Sequence, residues 1–243
     1  MCGLNKGTVS NIVNELIEAH FVYETGPGKS SGGRKPVMLM FNSSAGYAIG
    51  INVEIKQITG ILKDLNGTVF ERIRYNLEQT DFNYVYEKLK SLIEVLMSQT
   101  PECQYGIVGI GIGFPGSIDS EGRIIVAPTL KWKNIPLQQI LQEEFQVPIV
   151  VSNEARVGAQ GETTYGYGKE SNNLLYLSIN YGIGSSLMIN KQFYKGHLGF
   201  AGDAGHMTFD VNGEECGCGN IGCWQNYASV KALLKKCGKL NCH

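Results

Sequence analysis

Between Asn5 and Val22 the apolar residues Val9, Ile12, Val13, Leu16 and Ile17 recur at the three- and four-residue spacing of one α-helical face. Asn5 stands where a side-chain oxygen can cap the first turn. The opposite face carries Lys6, Ser10, Asn11 and Asn14, side chains able to reach phosphates and base edges in a DNA major groove. The period then changes. Two apolar runs, "FVYET" and "VMLMFN", flank a Gly/Ser/Pro-rich tip bearing Lys29, Arg34 and Lys35, which predicts a hairpin with a basic wing. A plain surface helix and hairpin packed on a larger domain is the alternative for this segment.

Beyond Asn42 short apolar runs alternate with turns. "GYAIGINV" and "QITGILKDLNGTVFERIRY" predict strands with Asn66-Gly67 as a hairpin turn. A helix follows over residues 82–98, then a strand in "YGIVGIGIGFPGSID". Strands, helix and strand in that order predict an α/β sheet. Gly-Phe-Pro-Gly at the end of that strand lets backbone approach a ligand closely, or simply makes a turn. "VPIVV" predicts a further strand ending in Ser152-Asn153-Glu154, with a helix from about Ala155. Polar side chains at the carboxyl end of a strand sit where open α/β sheets bind ligands. A last helix is predicted from Trp224 to Lys236.

Composition narrows the choice. With 243 residues, 43% of them hydrophobic, and a formal net charge of −1, nothing global points to nucleic acid or membrane, although a local basic patch can hide behind that average. No run approaches 18 apolar residues and no signal-peptide pattern opens the chain, so a cytoplasmic location without a membrane partner is expected. Of seven cysteines, Cys216, Cys218 and Cys223 cluster, a pattern of reduced thiols rather than of a disulfide scaffold. His206 with these three completes a tetrahedral donor set for Zn2+. Four protein ligands leave no open position for water, so the metal is expected to be structural. Buried, unligated thiols are the alternative.

Gly3-Leu4-Asn5-Lys6-Gly7-Thr8-Val9-Ser10, followed by the Gly-Gly-Arg-Lys-Pro wing, resembles the turn, recognition helix and wing of the winged helix-turn-helix in repressors of the ROK family (repressors, open reading frames and kinases). The resemblance implies DNA contacts from Lys6, Thr8, Ser10, Asn11, Asn14, Lys29, Arg34 and Lys35, and a partial DNA-binding domain over residues 1–42. A helix before the recognition helix would be needed to brace it, so the unit is expected to be incomplete.

From Gly46 to Ser229 the order Pro-Gly, Ala-Pro, Asn-acid-Ala, Gly-x-Gly, Ala-Gly-acid-x-Gly-His and Cys-x-Cys-Gly-x-x-Gly-Cys is similar to the sugar- and zinc-binding signatures of the same family. That implies an actin-like, ribonuclease H-like duplicated α/β fold for residues 43–243, expected to be incomplete at its C-terminal end. Carried over by position, the sugar contacts would be Gly116, Asn153, Glu154, Asp203, His206 and Gln225. Ser117 and Thr129 join them with a structural role equally open.

Kinases of the family carry Asp-x-Gly-Gly-Thr and a second glycine-rich loop to cradle phosphate. This chain reads Asn52-Val53-Glu54-Ile55-Lys56 and "NYGIGSS" in those places. Glu154 occupies the base position, one methylene longer than the usual Asp. Asp203 and Gln225 each replace a usual Glu. The expectation is a non-enzymatic, sugar-responsive repressor with a monosaccharide effector, operator DNA as partner of the full-length protein, and a homodimer as its working form. An ATP-dependent sugar kinase, or a sugar-binding fragment with neither activity, is the runner-up.

Overall fold

The computed structural model describes residue 3 and residues 5–28, 36–197 and 201–238. Its first element is α1 (Lys6–Glu18), capped as the sequence predicts: the Asn5 side chain accepts from the Thr8 amide at 2.9 Å. The chain turns at Ala19 and His20 into β1 (Val22–Pro27), which pairs antiparallel with β2 (Val37–Phe41) through a bulge between Glu24 and Gly26. Lys29, Arg34 and Lys35, which the sequence assigns to a wing, lie outside the described residues. Of the apolar stripe, Val13 and Ile17 are half-buried, while Val9, Ile12 and Leu16 are 38–41% exposed. The unit is tied to the rest of the chain at its base. Asn42 donates from its side chain to His20 and from its backbone to Phe21, and the Tyr105 hydroxyl donates to the Ala19 carbonyl at 2.7 Å. The Phe21 and Tyr105 rings stack at 5.1 Å.

The main sheet is built from β3 (Tyr47–Val53), β4 (Gln57–Asp64) and β5 (Val69–Asn76), then α2 (Phe82–Ser98) and β6 (Ile107–Phe114). A small antiparallel ribbon follows, β7 (Ser117–Ile118), β8 (Ile124–Ala127) and β9 (Trp132–Ile135). Then come α3 (Leu137–Phe145), β10 (Ile149–Asn153) and α4 (Glu154–Thr164). Strand order is β10-β6-β3-β4-β5, with β3, β4 and β5 antiparallel and β6 and β10 parallel to β3. The turn at Asn66-Gly67 forms as predicted because the Asp64 carboxylate accepts from the amides of Asn66 and Thr68 at 2.9 and 2.8 Å.

Alternation along β3 and β4 sends Ile49, Ile51, Val53, Ile58 and Leu62 into the core. There they meet the apolar face of α2, formed by Val85, Leu89, Leu92, Ile93 and Leu96. Phe114, at the end of β6, stacks on Trp132 at 5.3 Å, and the Trp132 indole donates to the Thr80 carbonyl at 2.8 Å. The last residue of a core strand thus packs on a ring that is itself held by a hydrogen bond.

A second antiparallel sheet, β11 (Leu174–Ile179), β12 (Ile183–Ile189) and β13 (Gln192–Phe193), repeats the antiparallel start of the main sheet. Helix α4 touches β6 and β10 on one side and β11 and β12 on the other, so it is the shared wall of the two sheets. The predicted helix from Trp224 to Lys236 is instead two, α5 (Gln225–Ala228) and α6 (Val230–Lys236). Ser229 is extended and its hydroxyl accepts from the Ala232 amide at 3.1 Å. A buried serine in a capping geometry outweighs the continuous apolar period around it.

Truncating Leu92, fully buried between α2 and the sheet, to alanine is expected to lower the unfolding free energy by about 2–5 kcal/mol. Chemical denaturation compared with wild type measures it, and a loss below about 1 kcal/mol would contradict this description of the core.

Candidate functional site

A cavity of about 310 Å³ opens between the β3–β4 turn, the carboxyl ends of β6 and β10, and the start of β12. All eight positions the resemblance assigned to sugar line it: Gly116, Ser117, Thr129, Asn153, Glu154, Asp203, His206 and Gln225. Their placement follows from the strand ends. Gly116 leaves β6 at φ +133°, and a Cβ there would sit 2.6 Å from the Val126 carbonyl oxygen, so only glycine lets the β6–β7 loop lie against β8. Asn153 ends β10 and caps α4, its side-chain oxygen accepting from the Ala155 and Arg156 amides at 2.9 and 3.2 Å. Its amide nitrogen donates to the Gly116 carbonyl at 2.9 Å. One amide proton remains for a ligand.

Asp203 comes from the other side of the cleft, yet its carboxylate accepts from the Ser117 hydroxyl at 2.9 Å. That bond joins the two walls. Glu154, the first residue of α4, has its carboxyl raised above the ordinary value by burial and then by the nearby negative charge of Glu54. His206 is lowered by burial, against the opposing pull of Asp203, so the imidazole is neutral near pH 7. Neutral imidazole, carboxylates and an amide converge here with both donors and acceptors, which suits a polyol.

Polar cleft residues that sequence reasoning did not assign to the site include Lys56, Gln57, Asn180 and Tyr181. Lys56 and Tyr181 belong to the two segments read only as departures from phosphate loops, and they meet, with the Lys56 ammonium 6.0 Å from the Tyr181 ring centroid. Glu54 is oriented by the side-chain amides of Asn52 and Gln57 at 3.1 and 2.8 Å.

Below the cleft, His206, Cys216, Cys218 and Cys223 bring their donor atoms within 4.8 Å of one another. His206 Nδ1 is 3.6 Å from the Cys216 sulfur, and the sulfurs of Cys218 and Cys223 are 3.7 Å apart. Zinc bonds of about 2.3 Å to sulfur and about 2.0 Å to nitrogen place tetrahedral donors roughly 3.5–3.8 Å apart. The donor set fits such an ion in chemistry, and these two spacings match it. Burial raises the Cys216 thiol, but the Cys218 amide and the Gln225 side chain outweigh it and bring it below its ordinary value. Burial, with the neighbouring thiols, pushes Cys223 up to about 12. A cation at the centre would supply the charge that lets all three sulfurs ionise.

On α1, Lys6, Thr8, Ser10, Asn11 and Asn14 are all exposed. The Thr8 hydroxyl is engaged by the Asn5 cap at 3.1 Å, which leaves the other four side chains facing solvent. Among the described residues no helix is long and apolar enough to cross a membrane.

Comparison with known proteins gives a match to the ROK family over residues 48–241. A xylose repressor from Bacillus spizizenii is 48% identical over 235 residues, which cover 97% of this chain and 61% of that protein. A solved ROK family transcriptional regulator, a homologue of the E. coli MLC protein, matches with a TM-score of 0.76 at 26% identity over 96% of this chain and 59% of its own. A ROK family glucokinase from Streptomyces griseus, in complex with glucose and AMPPNP, matches with a TM-score of 0.72 at 25% identity over 78% and 59% of the two chains. The chain thus spans about three fifths of the length of the relatives it matches.

Because burial and Glu54 raise the Glu154 carboxyl, its protonated form favours the fold. That contribution is complete below the unfolded-state value and is lost as pH rises through the folded one. Glu154→Gln is therefore expected to melt above wild type near pH 7, with the gap closing as pH falls through the carboxylate range to about pH 4. Thermal melts across that range test it, and a variant less stable than wild type at neutral pH contradicts it.

Proposed function

The chain belongs to the ROK family, and on that premise we propose that it is the sugar-sensing part of a transcriptional repressor of carbohydrate metabolism. Its effector is a monosaccharide, with xylose the first candidate from the 48% identical repressor. The observation that carries this reading is the β3–β4 turn. Where family kinases hold phosphate on glycine amides, this turn is closed by the Glu54 amide donating to the Gln57 carbonyl at 2.8 Å. It presents the Glu54 carboxylate towards Glu154. Without glycine amides to hold it, and with the Glu54 carboxylate in their place, a triphosphate is disfavoured, whereas a neutral polyol is unopposed.

In this reading Asn153, Glu154, Asp203 and His206 hold sugar hydroxyls, with Gly116 and Thr129 shaping the pocket. Zn2+ held by His206, Cys216, Cys218 and Cys223 fixes the loop that presents His206 and takes no part in chemistry. The Ser117–Asp203 bond spans the two walls. A sugar hydroxyl inserted there exchanges one bond for two, and so favours one closure of the cleft over another. Residues 1–42 form the output, a winged helix-turn-helix whose α1 presents Lys6, Ser10, Asn11 and Asn14 to operator DNA. In a cytoplasmic homodimer, closure changes the spacing of two such units.

A sugar kinase is the second reading, favoured by Glu154 standing at the base position and by the likeness to the S. griseus glucokinase. Calorimetric titration of the full-length, zinc-loaded protein with a monosaccharide panel, repeated with ATP and magnesium while product is assayed, separates the two. The repressor reading expects one sugar to bind with no phosphorylated product. Turnover would overturn it. Asp203→Ala is expected to weaken that sugar by roughly 10- to 150-fold, the effect of losing a charged hydrogen-bond acceptor.

A further inference from the structure

Gln225 lines the cleft, but its two polar atoms point to different tasks. Its Nε2 donates to the Cys216 sulfur at 3.3 Å, and its Oε1 accepts from the Ile183 amide at 3.4 Å. The partners dictate the amide orientation: a thiolate can only accept, and a backbone N–H can only donate. The residue is the first of α5, directly beyond the metal-donor sequence, and it is half-buried. Ile183 opens β12 and is itself pressed from the other side, where a Cβ on Gly205 would collide with its carbonyl. Gly205 immediately precedes His206 in the turn Ala204–His206. The start of β12, which carries Gly182 and Gly184 into the cleft, is thus clamped between the turn that bears His206 and the side chain that holds Cys216.

We infer that Gln225 is a positioning residue that ties the metal cluster to the floor of the cleft, by donating to the Cys216 thiolate while holding the Ile183 backbone. The inference rests on the zinc reading above. One imidazole and three thiolates around a divalent ion leave a net negative cluster, which a neutral donor stabilises and an adjacent carboxylate opposes. The amide both donates and accepts here, whereas an ionised glutamate, the residue usual at this place in the family, can only accept. Gln225 thus adds a tie between cluster and cleft to the one made by His206, which is both a donor and a lining residue.

Two variants separate the contributions in the full-length protein. Gln225→Glu keeps the acceptor for Ile183 and removes the donor, and Gln225→Met removes both at similar length. Zinc affinity is read by competition with a chromophoric chelator, and the thiolate environment by the charge-transfer absorption of the cobalt-substituted protein. Both variants are expected to bind zinc about ten- to a hundred-fold more weakly. Their sulfur-to-cobalt band should move to longer wavelength, because a thiolate without its hydrogen bond is more easily oxidised. If the methionine variant fails to fold, the glutamate variant carries the test. Wild-type zinc affinity and wild-type absorption would overturn the inference, as would a loss of sugar affinity with both metal readouts unchanged. A wild-type protein that binds no zinc would overturn the metal reading and the inference with it, and is visible separately as absent metal in the first measurement.

Discussion

Residues 201–224 contain one short 3-10 turn and two isolated bridges, Thr208 to Cys223 and Glu215 to Ile221. So little regular structure cannot hold a side chain to within a fraction of an ångström by itself. The convergence of His206, Cys216, Cys218 and Cys223 gives this segment a common centre. Asn220 adds to it, donating to the His206 carbonyl at 3.1 Å and to the Thr208 hydroxyl at 3.0 Å. Asp203 is held on this side by β12 as well, where the Ser185 hydroxyl donates to the Gly202 carbonyl and accepts from the Ala204 amide at 3.2 Å.

The opposite wall is ordered by ordinary packing. Phe114 ends β6 inside the core, and Asn153 ends β10 as the cap of α4. Strand ends placed by a buried sheet can hold polar groups in fixed directions without a metal. Helix α4 then touches both sheets, so any change in the angle between the walls is felt along one rigid element. The Ser117–Asp203 bond is a contact between those two walls.

Much of this was legible because its signals are local. The Asn66-Gly67 turn, the helix at residues 82–98 and the capped α1 follow from periods and caps spanning a few residues. The metal donors lie within one short stretch, so their spacing already implied a common centre. The break at Ser229 was not legible, since the apolar period continues through it and only the buried capping geometry reveals it. Nor were the meeting of Lys56 with Tyr181, or the bond from Gln225 to Ile183, which join residues far apart in sequence. The segments "NVEIK" and "NYGIGSS" could be read for what they lack. What they put in its place, a clamped carboxylate and a lysine over an aromatic ring, required the fold.

On the proposed reading, sugar in this cleft and operator DNA on the N-terminal unit are alternative stabilisers of two closures of one molecule. Linkage makes that claim reciprocal, because the factor by which sugar changes DNA affinity must equal the factor by which DNA changes sugar affinity. The most direct measurement is the affinity of the full-length protein for its monosaccharide, free and when saturated with operator DNA. The account predicts a weaker sugar affinity on DNA, by about 5- to 150-fold for a coupling of typical size. Equal affinities in the two states would contradict it.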